Sequence, residues 1–269
     1  MARIIALSSL VARGHVGLSA YRPILEALGH EVTALPTVVL SNHPGHPHVA
    51  GTRIEPTTLR AMIDALAANS WLAEADAVLT GYLPSAGHVA VACDLIERVR
   101  AANPSVRIVV DPVLGDDPKG LYIDEAAATA VRDTLVAHAD AVTPNRFELA
   151  WLAGRPVGSM AEAVDAARAL GRAEVIATSI PVSDTRLATL LVTAVSARAA
   201  IVDREANVAN GTGDVLAALV AARLPLGRAV AVVATLIAAS RGRGELALIA
   251  ARTAALAAAP MAEHDVTTG

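Results

Sequence analysis

Short runs rich in β-branched residues alternate with segments of helical periodicity along the first 170 residues of the chain. The predicted strands of this part are RIIALSS (3–9), EVTALPTVVL (31–40), ADAVLTG (75–81), VRIVVDPV (106–113) and ADAVTPN (139–145). Helical periodicity lies near 19–28, 57–69, 86–102, 124–138, 146–153 and 159–170. Strands that alternate with helices form a parallel sheet with helices on both faces. We therefore predict an α/β fold of three layers, αβα, around a mainly parallel central sheet.

The pattern changes in the last third of the chain. AEVIATS (173–179), TRLATLLVTA (185–194) and ARAAIVD (197–203) follow one another with only short turns, which predicts antiparallel edge strands. Helices are then predicted near 212–223, 227–240 and 244–258, before a polar tail from about 260 to 269 that we expect to be frayed. With 54% hydrophobic residues, the chain can bury one core, and we predict a single domain over residues 1–269.

The composition excludes several classes of protein. A net charge of −4, without a basic stripe, argues against a nucleic-acid partner. The apolar run 229–240 is too short to span a bilayer, and the first residues lack the features of a signal peptide, so we expect a cytoplasmic protein. Cys93 is the only cysteine and Lys119 the only lysine, which excludes disulfides, cysteine-rich zinc sites and a phosphate loop of the G-K-[ST] type.

Polar residues follow three of the predicted strands at the point where each strand ends. In order along the chain they are Asp111, Thr143, Asn145 with Glu148 one turn later, Thr178 and Ser179. Ligands of parallel sheets bind beyond the carboxyl ends of the strands, so these side chains should face one site. Acids and hydroxyls in such a place are suited to a nucleotide, its phosphates and Mg²⁺.

The segment NGTGD (210–214) precedes an apolar helix and adds an anion site to this edge. Gly211 and Gly213 allow the main chain to approach a ligand, while the free N–H groups of the helix start hold an anion. Asp214 beside them is explained if it accepts the proton of an attacking hydroxyl during phosphoryl transfer. The structural alternative is that Asn210 or Thr212 caps the helix and Asp214 only complements its dipole.

Comparable alternatives exist for the strand-end acids. Asp111 precedes Pro112 and could simply form a turn, and Glu148 could lie on a solvated helix face. Their joint occurrence at strand ends favours a functional site.

Motifs along nearly the whole chain carry a family resemblance. They are SSLVARGHVGLSA (8–20), LGHEV (28–32), TVVLSNHPG (37–45), LTGYLPS (79–85), DPVLGD (111–116), ADAVTPNRFEL (139–149), TS (178–179) and GTGDVLAAL (211–219). GTGD resembles the anion-hole and base motif of the ribokinase-like kinases, and GHVG, SNH and TGYL in this order resemble the pyridoxal kinases. The related hydroxymethylpyrimidine kinases commonly have a cysteine at the position of Asp214, which favours the pyridoxal kinases.

The resemblance implies an ATP-dependent kinase that phosphorylates the 5′-hydroxymethyl group of pyridoxal, pyridoxine or pyridoxamine. Asp214 would be the base, and Gly211, Thr212 and Gly213 would form the anion hole. Ser9 would bind the pyridoxal ring, and the pocket around that ring would be lined by Gly45, His46 and Tyr82.

The same resemblance implies the nucleotide side of the site. Asp111 and Glu148 would arrange Mg²⁺ and the phosphates, and Tyr122 would belong to a loop, 116–123, that covers ATP. Contacts with ATP or with a monovalent cation, K⁺ or Na⁺, would come from Thr143, Asn145, Thr178, Ser179 and Thr212. A homodimer is typical of the family.

Three positions depart from the family pattern in the substrate region: Leu10 replaces a histidine, Pro44 a threonine and His46 an aromatic residue. They leave open a kinase of hydroxymethylpyrimidine or another small alcohol, or a vitamer-binding protein without catalysis. Three retained carboxylates argue against simple binding. We do not expect HPGHPH (43–48) to bind a metal, because two prolines stiffen this loop and no carboxylate or cysteine accompanies its histidines.

Overall fold

The structure is a computed structural model, and it describes residues 1–267. Its strands are β1 (Arg3–Val11), β2 (Glu31–Leu40), β3 (Gly51–Arg53), β4 (Ala77–Thr80), β5 (Arg107–Val110), β6 (Gly115–Asp116), β7 (Gly120–Leu121), β8 (Ala141–Val142), β9 (Glu174–Ser183), β10 (Arg186–Val192), β11 (Ala197–Asp203) and β12 (Glu263–Asp265). Its α-helices are α1 (Leu18–Ala27), α2 (Pro56–Ala68), α3 (Ala86–Ala102), α4 (Glu125–Ala130), α5 (Arg146–Ala153), α6 (Met160–Ala169), α7 (Thr212–Ala221), α8 (Leu226–Ala239) and α9 (Leu248–Ala257).

The large sheet has the strand order β12-β11-β10-β9-β8-β5-β4-β1-β2-β3. Its centre, from β2 to β9, is parallel throughout. The strands from β9 to β12 pair antiparallel, as β3 does with β2. The prediction of a mainly parallel sheet with antiparallel edge strands is therefore confirmed. β6 and β7 form a separate hairpin that the sequence patterns did not predict.

Helices cover both faces of the sheet because its parallel strands carry apolar side chains on both sides. Along β1, Ile4 and Ala6 pack in a cluster with α1, α7 and α8. The intervening residues Ile5 and Leu7 pack in a second cluster with α2, α3 and α4. Alternation with a period of two residues sends neighbours to opposite faces. The predicted αβα layering follows from this alternation.

The predicted helix 124–138 differs in its second half. The α-helix ends at Ala130, and a π turn (Val131–Leu135) and a 3-10 turn (Val136–His138) follow. The Thr134 hydroxyl donates a hydrogen bond of 2.6 Å to the carbonyl of Ala130. Such bonds compete with the regular backbone ladder, which gives a physical reason for the irregular turns.

The tail that we expected to be frayed contributes an edge strand, so that expectation is wrong for Glu263–Asp265. These residues pair with β11. The Glu263 carboxylate accepts the backbone N–H of Gly227, at the start of α8, at 2.9 Å, and pairs with Arg198 at 2.8 Å. The polar composition of this segment therefore led to a wrong expectation, because an ion pair and backbone hydrogen bonds hold it in place. Residues 268 and 269 of the predicted tail lie outside the described part of the chain.

Within residues 1–267, we find no helix whose length and hydrophobicity would allow it to cross a bilayer.

Candidate active site

The parallel strands β1, β4, β5 and β8 end at the same edge of the sheet, and the start of α7 lies there too. The prediction that the next strand ends at Ser179 is wrong, because β9 continues to Ser183 with an irregularity at Thr178 and Ser179. Gly211, the N-cap of α7, has φ of +100°, and a Cβ built on it would lie 1.8 Å from the His15 carbonyl oxygen, just after β1. A Cβ on Gly213 would meet open space. The absence of a side chain at Gly211 thus allows the start of α7 to approach the segment around His15. At Gly213 it leaves room for a ligand.

Gly211 occupies the N-cap of α7, and within residues 1–267 no side chain makes a capping hydrogen bond there. The side-chain amide of Asn210 instead lies 3.3 Å from the Nδ1 of His43. The alternative that Asn210 or Thr212 caps the helix is therefore wrong. N–H groups in the first turn of a helix have no intrahelical partner, so Thr212 and Gly213 offer donors to an anion.

Asp214 lies in the first turn of α7 and keeps part of its surface open to solvent. Burial raises the pKa of its carboxyl to about 6, although the backbone N–H of Gly17 and the hydroxyl of Tyr21 favour the charged form. A carboxylate with a pKa just below neutrality is ionised at pH 7 and yet basic enough to accept a proton. This is the electrostatic property that a general base needs.

Asp111 lies at the end of β5 and is 6% exposed. Its Oδ1 accepts a hydrogen bond from the Thr143 hydroxyl at 3.0 Å, and its Oδ2 accepts one from the Tyr21 hydroxyl at 3.4 Å. Burial, followed by the negative charges of Asp214 and Glu148, raises the pKa of Asp111 well above its usual range. The structure therefore brings the three predicted acids within electrostatic reach of one another. Asp111 is more than a turn-forming residue, because its partners are distant in sequence.

Glu148 is buried, so the alternative of a solvated helix face is wrong. Its carboxylate accepts the backbone N–H groups of Leu114 at 2.8 Å and Asn145 at 2.9 Å, while the Asn145 side chain accepts the N–H of Glu148 at 2.9 Å. This reciprocal pair is the capping box of α5. Burial raises the pKa of Glu148 to about 7, and these backbone donors limit the rise. Glu148 thus fixes the turn after β5 and adds negative charge near Asp111.

The other residues predicted on the nucleotide side surround this turn. Asn145 donates a hydrogen bond from its side chain to the carbonyl of Gly115 at 2.8 Å and forms a parallel bridge with Thr178. Ser179 is exposed and has φ of +60°, a rare conformation for a non-glycine residue. Tyr122, next to the β6–β7 hairpin, is 49% exposed, and the burial of the rest of its side chain, followed by the charge of Asp116, raises the pKa of its phenol.

The residues predicted on the substrate side are less tightly grouped. Ser9 occupies a bulge in β1, and a Cβ on Gly17 would lie 2.3 Å from its hydroxyl oxygen. Gly45 and His46 are exposed in the loop between β2 and β3. The contact between His43 and Asn210 brings this loop to the start of α7. Tyr82 packs against the apolar cluster under α2 and α3, and burial raises the pKa of its phenol.

Sequence reasoning missed Tyr21 and Ser8, which complete the polar interior of the site. Both are fully buried. Tyr21 lies in an apolar helical pattern that is typical of a core residue, and Ser8 lies in an apolar strand. Only the neighbouring Gly81, which leaves space for both hydroxyls, offered a signal. A single glycine after a strand is too common in ordinary turns to identify a site.

The acids of the site fit a divalent cation that is bound mainly through other ligands. In residues 1–267 no group of three or more His, Cys, Asp or Glu side chains is arranged to hold a metal ion. Both oxygens of Asp111 and of Glu148 already accept hydrogen bonds. Mg²⁺ commonly uses one or two carboxylates, with waters and substrate phosphates as its remaining ligands. Burial raises the pKa values of both acids because it disfavours their ionised forms, and a bound cation would offset that penalty.

Known proteins resemble the chain over most of its length. The family model described as phosphomethylpyrimidine kinase matches residues 24–239. A pyridoxine/pyridoxal/pyridoxamine kinase of Bordetella avium is 38% identical over 230 residues, which cover 83% of this chain and 78% of that protein. A pyridoxal kinase of Leifsonia xyli is 38% identical over 223 residues, which cover 81% and 79%. The solved structure of a pyridoxal kinase from Leishmania donovani in complex with ADP and pyridoxamine superimposes with a TM-score of 0.93 at 29% identity, covering 99% of this chain and 100% of that one.

Proposed function

The chain belongs to the pyridoxal kinase family, and on that premise we propose that it transfers the γ-phosphoryl group of ATP to the 5′-hydroxymethyl group of a B6 vitamer. The products are the 5′-phosphate of the vitamer and ADP. The observation that carries this proposal is Asp214, a carboxyl with a pKa of about 6 beside the free N–H groups of α7. Base and anion hole then adjoin, as in-line transfer to an alcohol requires.

In this mechanism Asp214 accepts the proton of the 5′-hydroxyl as the oxygen attacks phosphorus. The N–H groups of Thr212 and Gly213 and the dipole of α7 stabilise negative charge on the phosphoryl oxygens. Asp111 and Glu148 would hold Mg²⁺, which when bound neutralises charge on the phosphate oxygens. Thr143 keeps Asp111 in place by its hydrogen bond of 3.0 Å.

The contacts of both substrates complete the proposal. Ser9, Tyr82 and the loop that holds Gly45 and His46 surround the vitamer. The nucleotide, or a K⁺ or Na⁺ ion beside it, contacts residues after β8, in the irregular middle of β9 and in α7, with Tyr122 as part of a cover: these residues are Thr143, Asn145, Thr178, Ser179 and Thr212. As further parts of the proposal, the protein is a homodimer, as its family resemblance implies, and works in the cytoplasm, where it meets ATP.

A substrate panel tests the proposal. ADP release is measured with ATP, Mg²⁺ and, in separate reactions, pyridoxal, pyridoxine, pyridoxamine and hydroxymethylpyrimidine. We expect turnover with at least one of the three B6 vitamers at a higher kcat/KM than with hydroxymethylpyrimidine. Absence of turnover with all four compounds rejects a kinase of this kind.

Hydroxymethylpyrimidine is the second candidate substrate, because the matching family model is described as phosphomethylpyrimidine kinase. Leu10, Pro44 and His46, which depart from the pyridoxal kinase pattern, are further reasons to include it. A higher kcat/KM for hydroxymethylpyrimidine than for every vitamer would select this candidate. Vitamer binding by calorimetry without ADP release would instead identify a binding protein.

A further inference from the structure

Tyr21 is the side chain that joins the two acids at the centre of the site. It lies in α1, its side chain is fully buried, and its hydroxyl donates a hydrogen bond to the Oδ2 of Asp111 at 3.4 Å. Burial, followed by the negative charges of Asp111 and Asp214, raises the pKa of the phenol, so the hydroxyl lies within electrostatic reach of both carboxyls. Tyr21 therefore lies beside both acids, on the side that faces the protein interior.

The surrounding chain leaves a fitted space for this hydroxyl. A Cβ added to Gly81 would lie 2.3 Å from the Tyr21 hydroxyl oxygen and 2.5 Å from the Oγ of Ser8. Real Cβ atoms do not approach other atoms so closely, so the absence of a side chain at residue 81 allows the hydroxyl to lie where it does. Ser8 in turn accepts the backbone N–H of Tyr82 at 3.1 Å, which fixes the Ser8 hydroxyl next to Tyr21.

We propose that Tyr21 is a positioning residue, whose hydroxyl separates Asp111 from Asp214 and fixes the Asp214 carboxylate in the orientation that accepts the proton of the substrate. The inference rests on the proposed function, because it concerns the base of that reaction. Two like charges in a buried site repel each other, and a polar group between them reduces both their repulsion and their freedom to move. A core tyrosine without this role would contribute only apolar packing.

The first test is Tyr21→Phe, which removes the hydroxyl and keeps the ring. We expect kcat to fall about tenfold, the size expected when one hydrogen bond to a charged group is lost. The KM values for ATP and for the vitamer should change less than about twofold, because the fully buried Tyr21 side chain offers no surface to a substrate. This separation of kcat from KM distinguishes positioning from substrate binding.

The matched control is Ser240→Ala at the end of α8. The Ser240 hydroxyl is also buried, donates to the carbonyl of Leu236 at 2.6 Å and accepts the N–H of Ala247 at 2.9 Å. Its loss should lower the melting temperature at least as much as Tyr21→Phe and leave kcat unchanged. An equal fall of kcat in both variants would mean that general destabilisation explains the result, and would overturn the proposal.

Gly81→Ala provides a second variant, which displaces the hydroxyl without removing it. We expect Gly81→Ala to lower kcat in the wild-type background and to lower it less in the Tyr21→Phe background, where the atom it displaces is already gone. Equal effects in the two backgrounds would overturn the proposal, as would an unchanged kcat in Tyr21→Phe.

A crystal structure of Tyr21→Phe gives a readout that does not depend on turnover. The expected result is a shifted Asp214 carboxylate or an ordered water in the place of the hydroxyl, between the two acids. An unmoved carboxylate without that water would overturn the proposal. If wild-type protein shows no turnover with any compound of the panel, the proposed function fails on that result alone, and the crystal structure still decides whether Tyr21 positions Asp214.

Discussion

The acidic residues at the two ends of the parallel strands have different partners. At the amino ends, the acids have arginine partners: Arg3 contacts Glu31 at 3.0 Å and Glu74 at 2.7 Å, and Arg107 contacts Glu174 at 2.6 Å. At the carboxyl ends, Asp111, Glu148 and Asp214 have no Lys, Arg or His ion-pair partner in residues 1–267, and hydroxyl and N–H groups are their hydrogen-bond donors.

This difference has a direct electrostatic consequence. Burial raises the pKa of Asp214 to about 6 and of Glu148 to about 7, and it raises that of Asp111 together with the neighbouring negative charges. Such uncompensated charge destabilises the folded chain and is typical of functional sites. The ion pairs at the amino ends stabilise the fold, whereas the uncompensated acids at the carboxyl ends agree with the proposal that Mg²⁺ enters there with ATP.

The strongest test of this contrast is Asp214→Asn. We expect kcat to fall about 1000-fold, the range for loss of a general base, because an amide cannot accept the proton of the hydroxyl. Calorimetry should show nearly unchanged ATP affinity, since the N–H groups of α7 remain. A kcat within about threefold of the wild type would remove Asp214 from the reaction.

The amino end should respond in the opposite way to Arg107→Met. The Arg107 side chain is only 10% exposed, so its loss should lower the free energy of unfolding by about 1–2 kcal/mol, between the values for surface and for buried ion pairs. Urea denaturation measures this loss, and kcat should not change.

Arg132→Met is the matched control for that prediction. Arg132 pairs with Asp133, and the two side chains are 39% and 53% exposed. Its loss should leave the urea midpoint unchanged within the precision of the measurement, because solvent screens an exposed ion pair. If the two arginine variants lose equal stability, burial of the Arg107 pair does not matter, and if Arg107→Met loses activity, the two ends are not independent.

The smallest expected effect concerns pH. The pKa of Asp214 is about 6 in the folded chain and about 3.9 in an unfolded one, so the folded state binds more protons between these values. This group therefore lowers the stability as pH rises from about 4 to about 6, and the loss remains above that range.

Asp214→Asn removes this contribution. Its free energy of unfolding relative to the wild type should rise by about 1 kcal/mol between about pH 4 and pH 8, a value reduced because Asp214 is partly solvated. Urea denaturation of both proteins at the two pH values measures the change. A difference that stays constant with pH would show that the fold does not hold Asp214 in a destabilised ionised state.

The parts of the fold that depend on local patterns could be predicted from the sequence. The bounds of β2, α3, α5 and β11 agree with the predicted segments because apolar periodicity and turn residues delimit them. β12 was missed because its pairing depends on Glu263 meeting Arg198 and Gly227, which are distant in sequence.

The candidate site shows the same difference between local sequence signals and contacts that are distant in sequence. The strand-end acids could be found because each follows a recognisable strand, whereas Tyr21 reaches Asp111 across 90 positions of sequence. Glu148 was recognised as a candidate, but its capping box was not, although the spacing of Asn145 and Glu148 is the one such boxes require. The roles proposed for Ser9, Tyr82 and the nucleotide contacts stay predictions.

The place of β12 also has a consequence for how the protein is made. The strand that pairs with the outer side of β11 consists of residues 263–265, so the ribosome synthesises it after the other strands of residues 1–267. Until it emerges, the outer side of β11 exposes unpaired N–H and C=O groups, which can recruit strands from other nascent chains. The pairing of β12, with Glu263 docked at the start of α8, therefore closes an edge at which unfinished chains can associate.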